Sequence, residues 1–332
     1  MKAIGCMIDS ATSQPILKDI EMAIPTCEDN DLLIKVESIA VNPVDTKIRN
    51  IMTSKDISPK ILGFDASGEV VVTGQSAEGF TIGDKVYYAG SITRPGSNAE
   101  YQCVDAAIVS HTPKSLSQTE AAALPLTGLT ACEMLFEHLC IDKSDNAQLL
   151  IVGAAGGVGS MLIQLAKALT DCTVIATASR HSSKSWVESL GADVVINHAQ
   201  PMKPQLDKLG LAITHIASCQ NTPGYFDQYV DLITPFGSIA FIDSGNGLDV
   251  MKLKNKSLSL HYEYMFARAM FHAKDRSQQG EWLALIAKLV DQKKIQTTLQ
   301  ENLGQINAAN LEKAHQLLLT HKMVGKIVLS GF

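Results

Sequence analysis

A glycine-rich segment in the middle of the chain constrains the fold more than any other sequence feature. An apolar run, 148–152 (QLLIV), precedes the segment 153–159 (GAAGGVG), and 161–169 (MLIQLAKAL) follows with helical spacing of its apolar residues. A strand, a turn of small residues and a helix in this order are typical of a dinucleotide-binding turn, because backbone N–H groups and the helix N-terminus face a diphosphate. The residues predicted to bind the coenzyme here are Ala155, Gly156, Gly157, Val158 and Gly159. The alternative is a tight turn with no ligand.

The order of predicted strands and helices changes near residue 120. Before it, short runs broken by Gly, Pro and Asp predict a strand-rich, β-barrel-like domain. After it, strands and helices alternate, which predicts an α/β fold with a doubly wound parallel sheet. The predicted strands lie at 32–39, 68–73, within 80–88, 99–104, 148–152, 173–178, 194–196, 213–217, 238–243, 257–264 and 326–329. The predicted helices lie at 119–138 (interrupted by Pro125 and Gly128), 158–169, 182–190, 225–233, 278–292 and 308–321.

The residues after the second strand of this alternating region discriminate between coenzymes. An NAD site places Asp or Glu there to accept from the ribose 2′-hydroxyl. Residues 172–187 contain no acidic residue, and they offer Ser179, Arg180 and Lys184 instead. Because Arg and Lys make charge-assisted hydrogen bonds to a 2′-phosphate, the sequence favours NADPH. The alternative is that Arg180 and Lys184 are only solvated.

A later strand end provides a second group of candidate coenzyme contacts. Ile242, Asp243 and Ser244 end the strand predicted at 238–243. Doubly wound folds bind ligands at the carboxyl ends of their strands. We therefore expect these three residues to line the nicotinamide pocket.

Composition and charge exclude several classes of function. The net charge of −6 over 332 residues gives no support for a nucleic-acid partner. No run approaches 18 consecutive apolar residues, and the N-terminus lacks the apolar core of a signal peptide, so neither a membrane span nor secretion is expected. Seven scattered cysteines without a CxxC pair fit reduced thiols and a cytoplasmic location.

Several motifs together resemble the medium-chain dehydrogenase/reductase superfamily, in its quinone-oxidoreductase-like branch (zinc-type alcohol dehydrogenase-like). The resemblance covers essentially the whole chain. The motifs are 41–49 (VNPVDTKIR, similar to the first active-site loop of that branch), 63–70 (GFDASGEV), 83–87 (GDKVY), 121–131 (AAALPLTGLTA), 154–159 (AAGGVG), 190–193 (LGAD) and 325–329 (GKIVL).

The resemblance implies a domain organisation that the strand pattern does not show. It implies a GroES-like catalytic domain made of residues 1–125 and 268–332, with a Rossmann NADPH-binding domain, 126–267, between them. It also implies a homodimer in which the strand near 257–264 pairs with its copy in a second chain.

The zinc ligands of the superfamily's alcohol dehydrogenases are where this sequence departs from the resemblance. The corresponding positions hold Asn42, Phe64 and Ala123, none of which is a good zinc ligand. Asp65, which stands at the position of a neighbouring Glu, cannot hold zinc alone. We therefore expect no bound metal.

Hydride transfer without zinc suits electron-poor acceptors better than simple alcohols, so the sequence favours an NADPH-dependent reductase of quinones or α,β-unsaturated carbonyls. Asn42 would donate to the substrate carbonyl, or it caps a turn before Pro43. The resemblance places Thr127 against the nicotinamide or its ribose, whereas Phe64 would pack against the ring or substrate. Lys47 lies where some relatives carry a tyrosine proton donor, so the proton donor stays unassigned.

Two other functions stay open: a zinc-dependent alcohol dehydrogenase with unusual ligands, and an NADPH-binding sensor without turnover.

Overall fold

The computed structural model describes residues 1–53, 59–143 and 146–332. It divides into two compact units. Unit 1 comprises Met1–Leu126 and Phe266–Phe332, and unit 2 comprises Thr127–Met265.

The chain up to residue 143 is rich in strands. In order, its elements are β1 (Lys2–Ile8), β2 (Pro15–Glu21), β3 (Asp31–Ala40), α1 (Pro43–Ile51), β4 (Lys60–Ile61), β5 (Ala66–Thr73), β6 (Lys85–Tyr88), β7 (Tyr101–Asp105), β8 (Val109–His111), α2 (Gln118–Ala121) and α3 (Pro125–Cys132). A 3₁₀ turn covers Ala106–Ile108, and α3 continues as a π-helix over Glu133–His138.

Strands and helices then alternate through unit 2. The elements are β9 (Gln148–Val152), α4 (Gly157–Leu169), β10 (Thr173–Thr177), α5 (His181–Ser189), β11 (Val194–Ile196), α6 (Met202–Lys208), β12 (His215–Ser218), α7 (Thr222–Leu232), β13 (Ser238–Phe241) and β14 (Ser259–Tyr262), with a 3₁₀ helix over Val250–Lys256. The C-terminal part of unit 1 adds α8 (Ala267–Met270), α9 (Gln278–Asp291), β15 (Leu299–Asn302), α10 (Ala308–Leu319) and β16 (Lys326–Ser330).

Unit 1 is built around β3, whose residues Leu32, Ile34 and Val36 are buried. Among the described residues its main sheet runs in the order β15-β16-β3-β5-β6-β8, with β7 also paired to β3. The C-terminal strand β16 is antiparallel to β3, with Val328 opposite Ala40. Residues from both ends of the chain therefore share one core.

Unit 2 is an α/β sandwich. Its sheet runs in the order β11-β10-β9-β12-β13-β14, and the strand pairs within the described chain are parallel. Parallel strands buried on both faces read as continuous apolar runs, as β9 and β10 do. The predicted fold class is confirmed.

The segment 41–49, which resembles an active-site loop of the family, does not form a loop in the structure. Most of it forms α1, because Asn42 stands at the N-cap and Pro43 occupies the first helical position, where a missing N–H costs nothing. Similarly, Pro125 begins α3 and does not merely interrupt a longer helix.

The terminal regions of the chain hold strands that the sequence patterns did not predict. These are β1, β2 and β15, and the short helices α6 and α8 were also missed. None of the helices in the described ranges is long and apolar enough to cross a bilayer.

Candidate active site

The glycine-rich turn lies between β9 and α4. Gly153 has a φ of +78°, which side chains with a Cβ rarely adopt. Its N–H donates to Thr177 Oγ1 at 3.2 Å, and the Gly156 N–H donates to the Gly153 carbonyl at 3.1 Å. These bonds hold the turn so that α4 begins at Gly157 with Gly156 as its N-cap. The first N–H groups of such a helix have no acceptor within the helix, so they can bind an anion.

Two glycines in this turn have different steric surroundings. A Cβ added at Gly159 would lie 2.5 Å from the Ala154 Cα, so this glycine allows α4 to pack against the turn. A Cβ added at Gly156 would meet only the Gly153 carbonyl oxygen, at 3.5 Å. Gly156, Gly157 and Val158 are partly exposed, whereas Ala155 and Gly159 are buried. The turn therefore has the small-residue lining that a diphosphate requires.

The residues predicted to contact a 2′-phosphate follow β10. Ser179, Arg180 and Lys184 are exposed. Arg180 is the N-cap of α5, and its N–H donates to Ser183 Oγ at 3.2 Å. Lys184 Nζ lies 3.8 Å from Glu188 Oε1, so Glu188 partly balances its charge.

One positive charge near β10 also acts on a histidine. Burial lowers the pKa of His198, and the positive charge of Arg180 lowers it further. His198, which lies in the segment after β11, therefore favours its neutral form.

The residues after β13 connect two elements of unit 2. Asp243 Oδ2 accepts from the Thr222 N–H at the start of α7, at 2.8 Å, and Tyr262 Oη donates to the Asp243 carbonyl at 2.5 Å. Ile242 is partly buried and Ser244 is exposed. Because a carboxylate already caps α7, that helix start is occupied, unlike the start of α4.

A buried polar network joins three elements in unit 1. Lys326 Nζ donates to Asp65 Oδ2 at 2.8 Å, to Asn42 Oδ1 at 2.5 Å and to the Val41 carbonyl at 3.0 Å. Asn42 Nδ2 donates to Asp65 Oδ2 at 2.8 Å, and Asp65 Oδ1 accepts from the Leu126 N–H at 2.7 Å. Thus the ammonium has three acceptors, and the Asn42 amide cannot flip without placing its Nδ2 against the ammonium.

Asp45 adds a second carboxyl group next to this network. It accepts from the Asn42 N–H at 2.7 Å and from the Gly63 N–H at 3.1 Å, which fixes the two segments that hold Asn42 and Phe64. Burial raises the pKa of Asp45 to about 7, while those hydrogen bonds and Lys326 oppose the rise. Burial also raises the pKa of Asp65, against the attraction of Lys326.

The two remaining candidate catalytic residues are both buried. Phe64 packs edge-on against Phe266, with ring centroids 5.3 Å apart at 75°. Thr127 is the third residue of α3 and belongs to unit 2. Their predicted contacts with coenzyme or substrate stay predictions.

The residues of this chain do not fit a zinc ion at the expected position. The Asp65 carboxylate already bonds a lysine ammonium, an asparagine amide and a backbone N–H, so its lone pairs are engaged and a cation sits beside it. Across residues 1–53, 59–143 and 146–332, no group of three or more His, Cys, Asp or Glu side chains could hold a metal ion.

Comparison with known proteins decides the family. The family profile described as alcohol dehydrogenase GroES-like domain matches residues 28–114, and the one described as zinc-binding dehydrogenase matches 157–288. A zinc-type alcohol dehydrogenase-like protein of Staphylococcus aureus is 40% identical over 320 residues, 95% of each chain. The chain belongs to the medium-chain dehydrogenase/reductase superfamily. The predicted GroES-like domain is thereby confirmed.

Other members of the superfamily carry different names. A chloroplastic quinone-oxidoreductase of Triphysaria versicolor is 30% identical over 323 residues, 94% of this chain and 93% of the relative. A crystal structure from Rhizobium etli, described as a candidate zinc-dependent alcohol dehydrogenase, is 44% identical with a TM-score of 0.95 and covers 100% of this chain and 98% of its own. A mycobacterial protein complexed with NADPH is 25% identical with a TM-score of 0.83, over 99% of both chains. This dehydrogenase/reductase is an oxidoreductase of a superfamily that uses nicotinamide coenzymes.

Lys326 is the site residue that sequence reasoning missed. In the sequence it belongs to the closing motif 325–329, and the resemblance assigns it no role. A lysine at the start of a buried apolar strand is a detectable signal, because an ammonium is rarely buried without a charged partner. The partner, Asp65, is 261 positions away in sequence and could not be identified without the fold.

Proposed function

We propose that this dehydrogenase/reductase is an NADPH-dependent enzyme that reduces quinones or α,β-unsaturated carbonyl compounds without zinc. The observation that carries the proposal is the Lys326–Asp65–Asn42 network at the position of the superfamily's zinc ligands. In this network an amide donor and a paired carboxylate stand where the superfamily's alcohol dehydrogenases have their metal ligands. Without a Lewis acid, the favoured substrates are those that spread the incoming negative charge over a conjugated oxygen.

The coenzyme assignment rests on the two ends of the predicted nucleotide site. The turn 153–159 and the start of α4 suit a diphosphate, and Arg180 and Lys184 suit a 2′-phosphate. When bound, the reduced nicotinamide supplies the hydride. We assign Ile242, Asp243, Ser244 and Thr127 to the nicotinamide end of the site.

Asn42 has one hydrogen that it can redirect to a substrate. Its amide nitrogen carries two hydrogens, and one donates to Asp65. The other points to the Ala40 carbonyl at 3.5 Å, beyond the usual range for a hydrogen bond. We assign this second hydrogen to the substrate carbonyl oxygen, with Phe64 as an apolar wall and the proton donor left to solvent.

The same proposal includes a cytoplasmic homodimer. Within the described chain, β14 is the edge strand of its sheet, with its outer side unpaired. An unpaired edge strand is a template for pairing with a second chain. Light scattering of the purified protein gives the mass that tests this part.

The central experiment measures NADPH and NADH oxidation with a panel of quinones, enones and simple aldehydes, together with the metal content of the enzyme. We expect turnover of conjugated acceptors with NADPH preferred, and no stoichiometric zinc. Stoichiometric zinc with alcohol oxidation would instead identify an alcohol dehydrogenase. Tight NADPH binding without turnover of any acceptor would identify a sensor. Either result rejects the proposal.

A further inference from the structure

Two cysteines of unit 1 lie in contact although they are 76 positions apart in sequence. Cys27 belongs to the segment between β2 and β3, and Cys103 lies on β7. Their Sγ atoms are 3.5 Å apart, and both side chains are half-buried. A disulfide bond requires about 2.05 Å, so the sulfurs need to approach by about 1.5 Å.

The surroundings hold the two segments in place. Asp31 begins β3 and pairs with Asp105 at the end of β7, and Cys103 pairs with Leu33 two positions along. Arg94 donates to both carboxylate oxygens of Asp31, at 2.8 and 2.5 Å. The charged groups next to the thiols therefore form a neutralised pair, which neither strongly destabilises nor strongly stabilises a thiolate.

We propose that Cys27 and Cys103 are a redox modification site, where a hydroperoxide converts the two thiols into a reversible disulfide. In the first step one thiolate attacks the peroxide, the O–O bond breaks, and a sulfenic acid and water or an alcohol result. In the second step the other thiol attacks the sulfenic sulfur and releases water. With hydrogen peroxide, two thiols and one peroxide give one disulfide and two waters. A thiol reductant reverses the change.

Either sulfur can donate in the Cys27–Cys103 contact, so either thiol can attack the peroxide while the other resolves the sulfenic acid. Burial raises the pKa of both thiols, that of Cys103 to about 12. Because neither thiol is strongly acidic, the reaction is slow at neutral pH.

The disulfide would tie the segment before β3 to the sheet. A cross-link between distant residues removes entropy from the unfolded chain, and the effect grows with loop length. Oxidation is therefore expected to raise the melting temperature of the full-length protein by several degrees. The effect is independent of the proposed reductase activity.

The experiment treats the full-length protein with hydrogen peroxide and counts free thiols after unfolding, with peptide mapping by mass spectrometry. Beyond any oxidation of the exposed Cys140, we expect loss of two of the seven thiols, a linked Cys27–Cys103 peptide lighter by two hydrogens, and recovery with dithiothreitol. Cys27→Ser and Cys103→Ser should each abolish both the linked peptide and the rise in melting temperature. Cys140→Ser is the matched control, because Cys140 is exposed and its removal should leave the linked peptide unchanged.

Oxidation of Cys140 shows that the peroxide dose is sufficient. If Cys140 is oxidised while Cys27 and Cys103 stay reduced, the proposal is wrong. It is equally wrong if Cys27 proceeds to sulfinic acid without forming the linked peptide. Trapping of a sulfenic acid at the remaining thiol of the Cys27→Ser or the Cys103→Ser variant supports the two-step route, whereas failure to trap it in both variants overturns that route.

Discussion

The Lys326 ammonium and the Asp65 carboxylate lie 2.8 Å apart, with side chains only 4% and 0% exposed. One comes from the last strand of the chain and the other from the residue just before β5. A buried ion pair of this kind depends on full hydrogen bonding, which Asn42, Val41 and the Leu126 N–H supply. The pair therefore connects the C-terminal strand β16 to the candidate catalytic residue Asn42.

The first prediction concerns removal of one partner of that pair. Lys326→Met would leave the Asp65 charge buried and unpaired, which typically costs about 3–5 kcal/mol of the free energy of unfolding. Denaturant unfolding followed by circular dichroism measures this loss. The matched control is Lys322→Met, since Lys322 is exposed and should change stability by less than about 0.5 kcal/mol.

The double variant Lys326→Met, Asp65→Asn removes both charges and keeps an acceptor for the Leu126 N–H, so it distinguishes a charge effect from poor packing. If the unpaired charge causes the loss, removal of both charges recovers a large part of the stability. A double variant that is no more stable than Lys326→Met would contradict the account.

A second prediction concerns acid. Burial, and then the charge of Arg49, lower the pKa of His315 to about 4 in the folded protein, against 6.5 for the free side chain. Between these values the unfolded chain binds a proton at His315 that the folded protein does not, so the His315 contribution to stability falls as the pH drops from about 6.5 to about 4. A shift of this size corresponds to about 3 kcal/mol. Asp45, whose pKa burial raises to about 7, contributes in the opposite direction over the same range.

Urea unfolding at a series of pH values tests the His315 contribution. The free energy of unfolding of the wild type relative to His315→Gln should fall as the pH drops through this window, whereas relative to His321→Gln, changed at an exposed position, it should stay constant. Parallel profiles for the wild type and His315→Gln would show that another group causes the acid sensitivity.

The third prediction separates the two glycines of the turn. Gly156→Ala meets no close neighbour, so the protein should keep its stability and yet bind NADPH more weakly, because the added methyl group enters the space assigned to the diphosphate. Gly159→Ala should reduce stability itself, because its Cβ would lie 2.5 Å from backbone atoms of Ala154. Thermal unfolding and coenzyme titration measure both effects. Unchanged NADPH affinity in Gly156→Ala would place the diphosphate elsewhere.

The fourth prediction concerns coenzyme choice. Loss of one charge-assisted hydrogen bond costs about 1.5–3 kcal/mol, so Arg180→Ala should weaken NADPH binding about 10- to 100-fold and leave NADH binding nearly unchanged. Lys184→Ala should have a smaller effect, because Glu188 already balances part of its charge. Fluorescence titration measures both affinities, with Lys208→Ala as a control at another exposed lysine. Equal losses for NADPH and NADH in Arg180→Ala would reject the 2′-phosphate assignment.

The alternating unit could be predicted from the sequence because its signals are local. The strand at 194–196 and the helix start at 157–158 follow from apolar runs, small residues and spacing within a few positions, and they lie in the structure within one residue of their predicted bounds. Strands β1 and β2 were not predicted, since they form by pairing with each other across a turn and, for β1, with the distant β4.

The sequence by itself determined the glycine-rich turn between a strand and a helix, the alternating sheet and the lack of Cys or His at Asn42, Phe64 and Ala123. Those properties depend on which residues stand next to each other in the chain. Only the tertiary structure decided that Lys326 reaches Asp65 and Asn42, and that Cys27 contacts Cys103. Such contacts join residues that are 76 to 284 positions apart, and only strand pairing and burial bring them within bonding distance.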